Sequence, residues 1–260
     1  MTGEEQYTPA YSRNASDFMA RRTAESHAAF LLRSLAPGLR VLDCGCGPGS
    51  ITCGLARLVR PGRVVGFDRE ASQVELARSR ASIEGIDNGT FEVGSIYELP
   101  FPTDSFDVVF AHAVFEHLTA PARALAELRR VLVPDGLVAI RSPDWGGFIV
   151  GPETGGLRAA IEAYTKLQTA NGGDVHVGRK LKGLLRSAGF AVRRFTATYE
   201  VYESAPVIGE YLALRLEAGG LAGAAAALRR WSSHPDAIFA QAWCEVLGHP
   251  NPDPNGQNPS

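Results

Sequence analysis

The chain has 260 residues, of which 45% are hydrophobic and 21% charged, and its formal net charge at pH 7 is −2. These values are typical of a globular protein with one sizeable domain, or with one domain and an appended cap. The nearly neutral charge lacks the basic surface of a nucleic-acid or anionic-membrane binder, so we expect neither partner. There is no N-terminal signal pattern and no apolar run of about 18 residues, which predicts a cytoplasmic protein.

Cysteine usage argues against a metal site. Cys44, Cys46 and Cys53 lie close together, whereas Cys244 is isolated near the end of the chain. A structural zinc site needs about four ligands at recognisable spacing, and no second Cys or His cluster faces these three. We therefore expect no metal and no disulfide framework, only small residues tolerated in a tight turn.

The first 36 residues are predicted to form a helical cover. Apolar residues recur with a helical period over residues 21–35, and Pro37-Gly38 ends that pattern. Tyr11 and Arg22 lie in this segment and are available to reach a neighbouring pocket.

The stretch that organises the chain is residues 41–50, VLDCGCGPGS. An apolar run ending at Leu42 suits a buried parallel strand, and a helical pattern begins at Ser50. The glycines between them let backbone N–H groups approach a bound ligand. Asp43 is placed at the carboxyl end of the strand, where open α/β sheets bind ligands.

A second strand over residues 63–67 ends at Asp68, about 20 residues past the glycine loop. A carboxylate in this position accepts hydrogen bonds from ribose hydroxyls. Asp68 could equally cap the helix that starts near Glu70, and the two roles are compatible.

The alternation of strands and helices continues towards the middle of the chain. A helix over residues 70–84 precedes a short strand containing Phe91 and Val93, and the strand of residues 108–111 follows. Leu137–Ile140 forms the fifth strand, after a helix opened by Pro121. Five strands alternating with helices predict a Rossmann-like, doubly wound, mostly parallel sheet with helices on both faces.

These motifs, in this order, resemble those of class I S-adenosylmethionine (SAM)-dependent methyltransferases, and of their UbiE-like type 11 small-molecule group. The resemblance rests on an acidic residue before GxGxG, on Asp68, on the Leu99-Pro100-Phe101 segment and on the FDVV stretch of residues 106–109. It implies SAM as the cofactor. The residues implied to bind SAM are Asp43, Gly45, Cys46, Gly47, Gly49, Asp68, Arg69, Ser95, Ile96, His112, Tyr11 and Arg22.

One residue departs from the family pattern, and the glycine spacing excludes one other cofactor. Ser95 stands where the family often has an aspartate that receives the adenine amino group, and a hydroxyl accepts that hydrogen bond more weakly. The loop also lacks the GxGxxG spacing of a nicotinamide dinucleotide site, because Ser50 directly follows Gly49.

The predicted organisation has four parts. Residues 1–36 form the cover and residues 37–203 the SAM-binding domain, in which residues 142–177 are an irregular insertion with a short helix on the substrate side. Phe190–Tyr202 is predicted as an antiparallel strand. Residues 204–248 form a helical cap, and residues 249–260 a disordered tail.

The predicted reaction is methyl transfer to an oxygen, nitrogen or carbon of a small or medium-sized metabolite, catalysed mainly by proximity and orientation. A hydroxyl acceptor needs a base, and His112, His117 and Glu116 are the candidates, with His176 after them. The alternatives are a SAM-binding protein that guides a non-methylating cyclisation or rearrangement, and a protein or RNA methyltransferase. We expect a monomer or homodimer.

Overall fold

The computed structural model describes residues 13–251. Tyr11 and residues 252–260 of the predicted tail lie outside this range. Its helices are α1 (Arg13–Met19), α2 (Ala24–His27), α3 (Ala29–Leu32), α4 (Ser50–Val59), α5 (Ala71–Ile83), α6 (Pro121–Val131), α7 (Leu157–Ala170), α8 (Val177–Ser187), α9 (Ala205–Ala218) and α10 (Ala222–Ser232). Its strands are β1 (Arg40–Cys44), β2 (Arg63–Asp68), β3 (Gly89–Val93), β4 (Phe106–His112), β5 (Leu132–Gly151), β6 (Phe190–Val201) and β7 (Ile238–Pro250).

The strands form one sheet in the order β3-β2-β1-β4-β5-β7-β6. The first five strands of this order are parallel, and β7 runs antiparallel to both β5 and β6. The predicted mostly parallel, Rossmann-like sheet is therefore confirmed. Because β1 lies between β2 and β4, the turns that follow these three strands meet at one edge of the sheet.

Strand β7 was not predicted, and it corrects the helical cap of residues 204–248. Helices α9 and α10 do form there, but residues 238–250 are a strand, which also takes His249 and Pro250 out of the predicted tail. β7 lies between β5 and β6 and is buried along most of its length. Its sequence therefore lacks the alternation of apolar and polar residues that marks a half-buried strand. A run of that kind cannot be told from a buried helix by its period.

The insertion of residues 142–177 is also more regular than expected. β5 continues to Gly151 because β7 pairs with it, with a register shift between Asp144 and Phe148. Helix α7 then spans 14 residues in place of a short helical stretch. The predicted strand of residues 190–202 exists as β6, but it runs in the same direction as β1–β5, and the antiparallel strand of the sheet is β7.

The single helix predicted over residues 21–35 is two short helices. Thr23 caps α2 with a reciprocal bond to Ser26, and the helix stops at Ala28, whose φ of −118° is not helical. The break places Arg22 before the capped helix, beside the ligand edge of the sheet.

Besides the buried clusters on the two faces of the sheet, a third buried cluster lies beside the sheet. It joins α7, α9 and α10 to Trp145 of β5 and Phe239 of β7. Trp231 of α10 is fully buried here and donates a hydrogen bond from Nε1 to the carbonyl of Gly151, at 3.1 Å. Within residues 13–251, no helix is both long enough and apolar enough to cross a bilayer.

Candidate cofactor and acceptor site

A cavity of about 480 Å³ lies at the carboxyl ends of β1, β2 and β4. Its size is within the range of about 300–1,000 Å³ that is usual for small-molecule sites. Eight of the predicted cofactor residues line it: Arg22, Gly45, Gly47, Asp68, Arg69, Ser95, Ile96 and His112. We call it the cofactor cavity.

Of the three glycines in the loop, Gly47 faces open space in the cofactor cavity. A Cβ added at Gly47 would meet only the Met19 sulfur, at 4.0 Å, whereas one at Gly45 would lie 2.2 Å from Cγ2 of Val114. A Cβ at Gly49 would lie 2.7 Å from the Cβ of Ala77. Gly45 and Gly49 are therefore needed for packing within the protein, and Gly47 for the approach of a ligand.

Asp68 connects the tips of β1 and β2. Its Oδ2 accepts the Gly47 N–H at 2.9 Å, and its Oδ1 accepts the Glu70 N–H at 3.0 Å. Burial, above all, raises the pKa of Asp68, and these two amide donors oppose the rise. The cap of α5 is Glu70, whose carboxylate accepts the Ser72 N–H, so Asp68 is not the N-cap of that helix.

Three predicted cofactor residues do not line the cavity. Asp43 is inside β1, which extends to Cys44, and its Oδ2 accepts a 2.6 Å hydrogen bond from Oγ1 of Thr52 in α4. Burial raises the pKa of Asp43 to about 7. Cys46 is buried with its Sγ towards the Gly47 carbonyl, and Gly49 is the N-cap residue of α4. These three residues support the glycine loop on the side away from the cavity.

The positions of Ser95 and Ile96 are compatible with their predicted contact to the adenine part of SAM. Ser95 and Ile96 both line the cofactor cavity. The Ser95 hydroxyl accepts the Tyr97 N–H at 3.3 Å, which orders the turn and leaves a second lone pair on the oxygen. The assignment of both residues to adenine stays a prediction.

His112 ends β4 and is buried, at 5% exposure, against other rings. Its ring centroid lies 4.9 Å from that of Trp243 and 5.2 Å from that of His27. Neither ring nitrogen has a hydrogen-bond partner within residues 13–251. Burial, reinforced by the positive charges of Arg22 and Arg141, lowers the pKa of His112 well below its usual value, so the imidazole is neutral.

A second, smaller cavity of about 60 Å³ adjoins the first, and we call it the acceptor chamber. The two cavities share Arg22, Ala113 and His117. Ala113 has a left-handed φ of 57°, a strained turn directly after β4 that places this residue at the junction. Seven aromatic side chains line the chamber: Phe18, Trp145, Tyr164, Tyr202, Tyr211, Phe239 and Trp243.

Only part of that chamber was anticipated. The insertion of residues 142–177 was predicted on the substrate side, and its Trp145, Tyr164 and Gln168 line the chamber. Phe239 and Trp243 were missed because they lie on the unrecognised β7. The signal that could have revealed them is the aromatic content of residues 238–247, which a solvated alanine-rich helix does not need.

Glu116 and His117 lie in the 3₁₀ turn after β4 and face the two cavities differently. Glu116 lines only the acceptor chamber, whereas His117 lines both. Burial raises the pKa of Glu116 to about 7 and lowers the pKa of His117 to about 3. The 3.7 Å approach between the Glu116 carboxyl and the His117 ring therefore joins a carboxyl to a neutral imidazole and is not an ion pair.

His176 is not part of the site. It precedes α8, and its Nδ1 lies 3.6 Å from Oδ1 of Asp144. It lines neither the cofactor cavity nor the acceptor chamber. Arg22, by contrast, lines both, so its position is compatible with the predicted contact to the methionine end of SAM.

The cofactor cavity fits SAM on three observations of its own residues. Gly47 leaves a space that a side chain would fill, Asp68 holds a carboxylate at the wall, and the buried nitrogens of His112 find no partner among residues 13–251. Asp68 already accepts two amide hydrogen bonds and keeps lone pairs for hydroxyl donors. Among the described residues, no group of three or more His, Cys, Asp or Glu side chains could hold a metal ion.

Comparison with known sequences identifies a family and several relatives of this chain. Residues 35–189 match the family described as "Methyltransferase domain". The chain is 36% identical over 221 residues to an uncharacterized 37.1 kDa protein in transposon Tn4556 of Streptomyces fradiae, covering 81% of this chain and 62% of that one. It is also 36% identical over 172 residues to an uncharacterized methyltransferase of Schizosaccharomyces pombe, covering 63% and 61%. The matches thus span less than two thirds of these relatives.

Solved structures share the fold. The YcgJ protein of Bacillus subtilis superimposes with a TM-score of 0.62 at 20% identity, covering 86% of this chain and 97% of that one. The [4+2]-cyclase SpnF gives 0.60 at 22%, covering 95% and 86%. A geranyl diphosphate methyltransferase in complex with SAM gives 0.56 at 19%, covering 85% and 83%. At these identities the likeness concerns the fold alone.

Proposed function

The chain belongs to the methyltransferase domain family, whose methyl donor is S-adenosylmethionine, and we propose that it methylates a small or medium-sized, partly apolar metabolite held in the acceptor chamber. The family and its cofactor, both predicted from the glycine loop and Asp68, are confirmed. The finer grouping with UbiE-like enzymes stays a prediction. The observation that carries the proposal is the junction at Arg22, Ala113 and His117, where the aromatic chamber meets the cofactor cavity.

The chain's contribution is to hold and align two reactants. Bound SAM supplies an activated methyl group on a sulfonium. Asp68 and the Gly47 turn would fix the nucleoside end, because a partly buried carboxylate forms strong hydrogen bonds to hydroxyls. Arg22 would donate to the carboxylate at the methionine end with part of its five-donor guanidinium, which leaves N–H groups that face the acceptor chamber. A fixed donor next to an enclosed acceptor makes the reaction effectively unimolecular, which is the largest gain available for this chemistry.

The aromatic walls support an acceptor that is partly apolar. Trp145 and Tyr164 pack with ring centroids 4.9 Å apart, and Tyr202 and Phe239 with centroids 5.6 Å apart. Burial of a ring or chain against such walls is favourable and excludes water from the reacting atoms.

The chamber must widen to admit a metabolite, because about 60 Å³ holds only a few atoms. The contact that would open is the stack of Phe18 in α1 on Tyr211 in α9, with centroids 4.1 Å apart. Phe18 is half-buried, so a rotation of its side chain away from Tyr211 and Tyr202 would widen the chamber while α1 stays packed through Ala15 and Met19.

The test is incubation of the protein with methyl-labelled SAM and a metabolite extract, followed by mass analysis. We expect one or a few small compounds to gain a single methyl group, and the gain to disappear in a D68A variant. An extract in which SAM binds, no compound gains a methyl group and one compound is isomerised would favour the non-methylating alternative instead.

A further inference from the structure

We propose that the acceptor is a planar phenol or enol, whose hydroxyl proton passes to Glu116 while Arg22 lies beside the oxygen that becomes negative. This inference rests on the proposed function and names its substrate class. It is carried by unpartnered polar atoms, ring surfaces and the charges at the junction of the two cavities.

The first observation concerns polar atoms in the chamber wall. Oε2 of Glu116, Oε1 of Gln241 and Nε1 of Trp243 are all buried, and none has a hydrogen-bond partner in the described part of the chain. All three residues line the acceptor chamber. Buried polar atoms are nearly always paired, so these atoms point to a ligand that offers both donors and acceptors.

The second observation concerns the shape of the ligand. The remaining wall is mostly aromatic ring, and the Phe18–Tyr211 pair is stacked with an interplanar angle of 20°. A flat ring system can enter between such faces and keep the offset stacking that aromatic pairs prefer. Flat rings that carry hydroxyl or carbonyl groups would satisfy the ring faces and the unpartnered polar atoms together.

The third observation is the charge at the junction. Arg22 carries the one guanidinium that lines both cavities among residues 13–251, and no side-chain hydrogen bond or ion pair holds this guanidinium within that range. Arg141 lies 4.1 Å from the ring centroid of Trp243, but its charge is paired with Glu200 at 3.1 Å. An amine becomes positive as it is methylated, which Arg22 opposes. An oxygen that loses its proton becomes negative, which Arg22 favours.

The position of Glu116 identifies it as the group that takes the acceptor's hydroxyl proton. Glu116 is the one carboxyl that lines the chamber in the described range, whereas His112 lines only the cofactor cavity. In the proposed step the acceptor O–H bond breaks and its proton binds to Glu116. The acceptor oxygen forms a bond to the methyl carbon, and the electrons of the breaking carbon–sulfur bond stay on sulfur. The products are a methyl ether, a neutral thioether and a protonated Glu116.

The groups around Glu116 support this role near neutral pH. Burial raises the pKa of Glu116 to about 7, and its own backbone N–H, the Ser142 hydroxyl and then the positive charges of Arg22 and Arg141 oppose the rise. His117 stays neutral because burial lowers its pKa to about 3, and burial raises the pKa of Tyr164 and of Tyr211. A base whose pKa is close to the working pH is the most effective one.

The experiment compares matched hydroxy and amino compounds of one to three fused rings: phenol and aniline, 2-naphthol and 2-naphthylamine, and hydroxy- and aminoanthraquinone. Calorimetry on protein saturated with S-adenosylhomocysteine measures binding, and labelled SAM measures methylation. We expect at least one hydroxy compound to bind ten times more tightly than its amine and to be methylated. Equal or better methylation of the amines, or no binding by any hydroxy compound, would overturn the substrate class.

The role of Glu116 is tested with E116Q, E116D and the control E75Q, which changes an exposed glutamate of α5. For the methylated hydroxy compound, we expect E116Q to lower kcat about 100-fold or more, with the acceptor KM changed less than threefold. E116D should recover part of the loss, and E75Q should behave as the unmodified chain. The loss in E116Q should also shrink for a nitro-substituted analogue that is already ionised at the assay pH. Unchanged turnover in E116Q, or an equal loss for both analogues, would remove Glu116 as the base.

The extract assay separates the two proposals. If extract compounds gain methyl groups but no phenol or enol is among them, the substrate class is wrong and the methyltransferase proposal stands. If no extract compound gains a methyl group, the methyltransferase proposal itself fails.

Discussion

Asp68 accepts the backbone N–H of Gly47 at 2.9 Å, and this bond joins the end of β2 to the turn that follows β1. We therefore expect the carboxylate to have two tasks, to hold the glycine turn and to offer its remaining lone pairs to a ribose. We expect D68A to weaken SAM binding by about 1.5–3 kcal/mol, which is roughly tenfold to a hundredfold in Kd.

Calorimetric titration with SAM measures this loss. The matched variant is D68N, which keeps an oxygen for the Gly47 amide but removes the charge. D68N should therefore preserve the melting temperature better than D68A while still weakening SAM binding. An unchanged Kd in a folded D68A protein would exclude the ribose contact.

Gly47 is expected to tolerate no side chain when the cofactor is bound. G47V places a branched side chain in the cofactor cavity, where the existing neighbour of a Cβ is the Met19 sulfur at 4.0 Å. It also forces a valine into a left-handed φ of 50°, which costs about 1–2 kcal/mol of stability.

A second glycine separates these two effects. Gly85 has a φ of 64° and no atom within 4 Å of a built Cβ, so G85V carries a similar backbone cost far from the cavity. Thermal unfolding should show comparable destabilisation for both variants, and SAM affinity should fall at least tenfold only in G47V. Equal SAM affinities in the two variants would contradict the assignment of Gly47 to the cofactor.

The fold and the cofactor end of the site could be read from the sequence because their signals are local. The glycine loop, Asp68 and the strand that ends at His112 each combine a short motif with an apolar run. The direction of the Asp43 carboxyl could not be predicted, because it depends on the packing of α4, where Thr52 donates a hydrogen bond to it.

The acceptor chamber could not be read in this way because it exists only in the tertiary structure. Trp243 reaches the chamber from a strand whose burial between β5 and β6 hides its period. Phe18, Tyr164 and Tyr211 come from three helices that are distant in sequence. Deletion from residue 204 onwards would therefore remove more than a cap, because it takes away β7 and leaves β6 without its pairing partner in the sheet.

His112 is expected to contact the cofactor and not to act as a base. Its ring lines the cofactor cavity only, and its lowered pKa makes it a weak proton acceptor. H112F keeps a ring against Trp243 but removes both nitrogens. We expect SAM affinity to fall about three- to tenfold, the loss of a hydrogen bond of about 0.5–1.5 kcal/mol.

Initial rates of H112F from pH 6 to 9 distinguish the two roles. For a cofactor contact, the fractional loss of turnover at saturating SAM is small and independent of pH. A large loss that shrinks at high pH, with SAM affinity intact, would restore His112 as the base.

The buried Asp43 should make stability depend on pH. Its folded pKa of about 7 is above the ordinary value of 3.8, so the folded chain binds this proton more tightly than the unfolded chain does. The stabilising effect is present at low pH and is lost as the pH rises from about 4 to about 7, by roughly 1–3 kcal/mol.

Urea unfolding at pH 5 and pH 8 checks this dependence by comparison with D43N, which removes the titrating proton and keeps an oxygen for the Thr52 hydroxyl. Other buried groups, such as Glu116, titrate equally in both proteins, so the difference between the two unfolding free energies isolates Asp43. The advantage of the unmodified chain should decrease from pH 5 to pH 8. A difference that stays constant or increases would contradict a raised pKa.

The central claim is that two adjoining cavities divide the work, one holding SAM and the other the acceptor. Parallel measurement of the SAM Kd and of acceptor-dependent methylation in D68A and F18A tests it most directly, because Asp68 lines only the first cavity and Phe18 only the second. We expect D68A to raise the SAM Kd at least tenfold. We expect F18A to leave that Kd within twofold but to change the acceptor KM or kcat at least fivefold. F18A protein with unchanged acceptor kinetics, or with SAM binding lost as in D68A, would contradict the division.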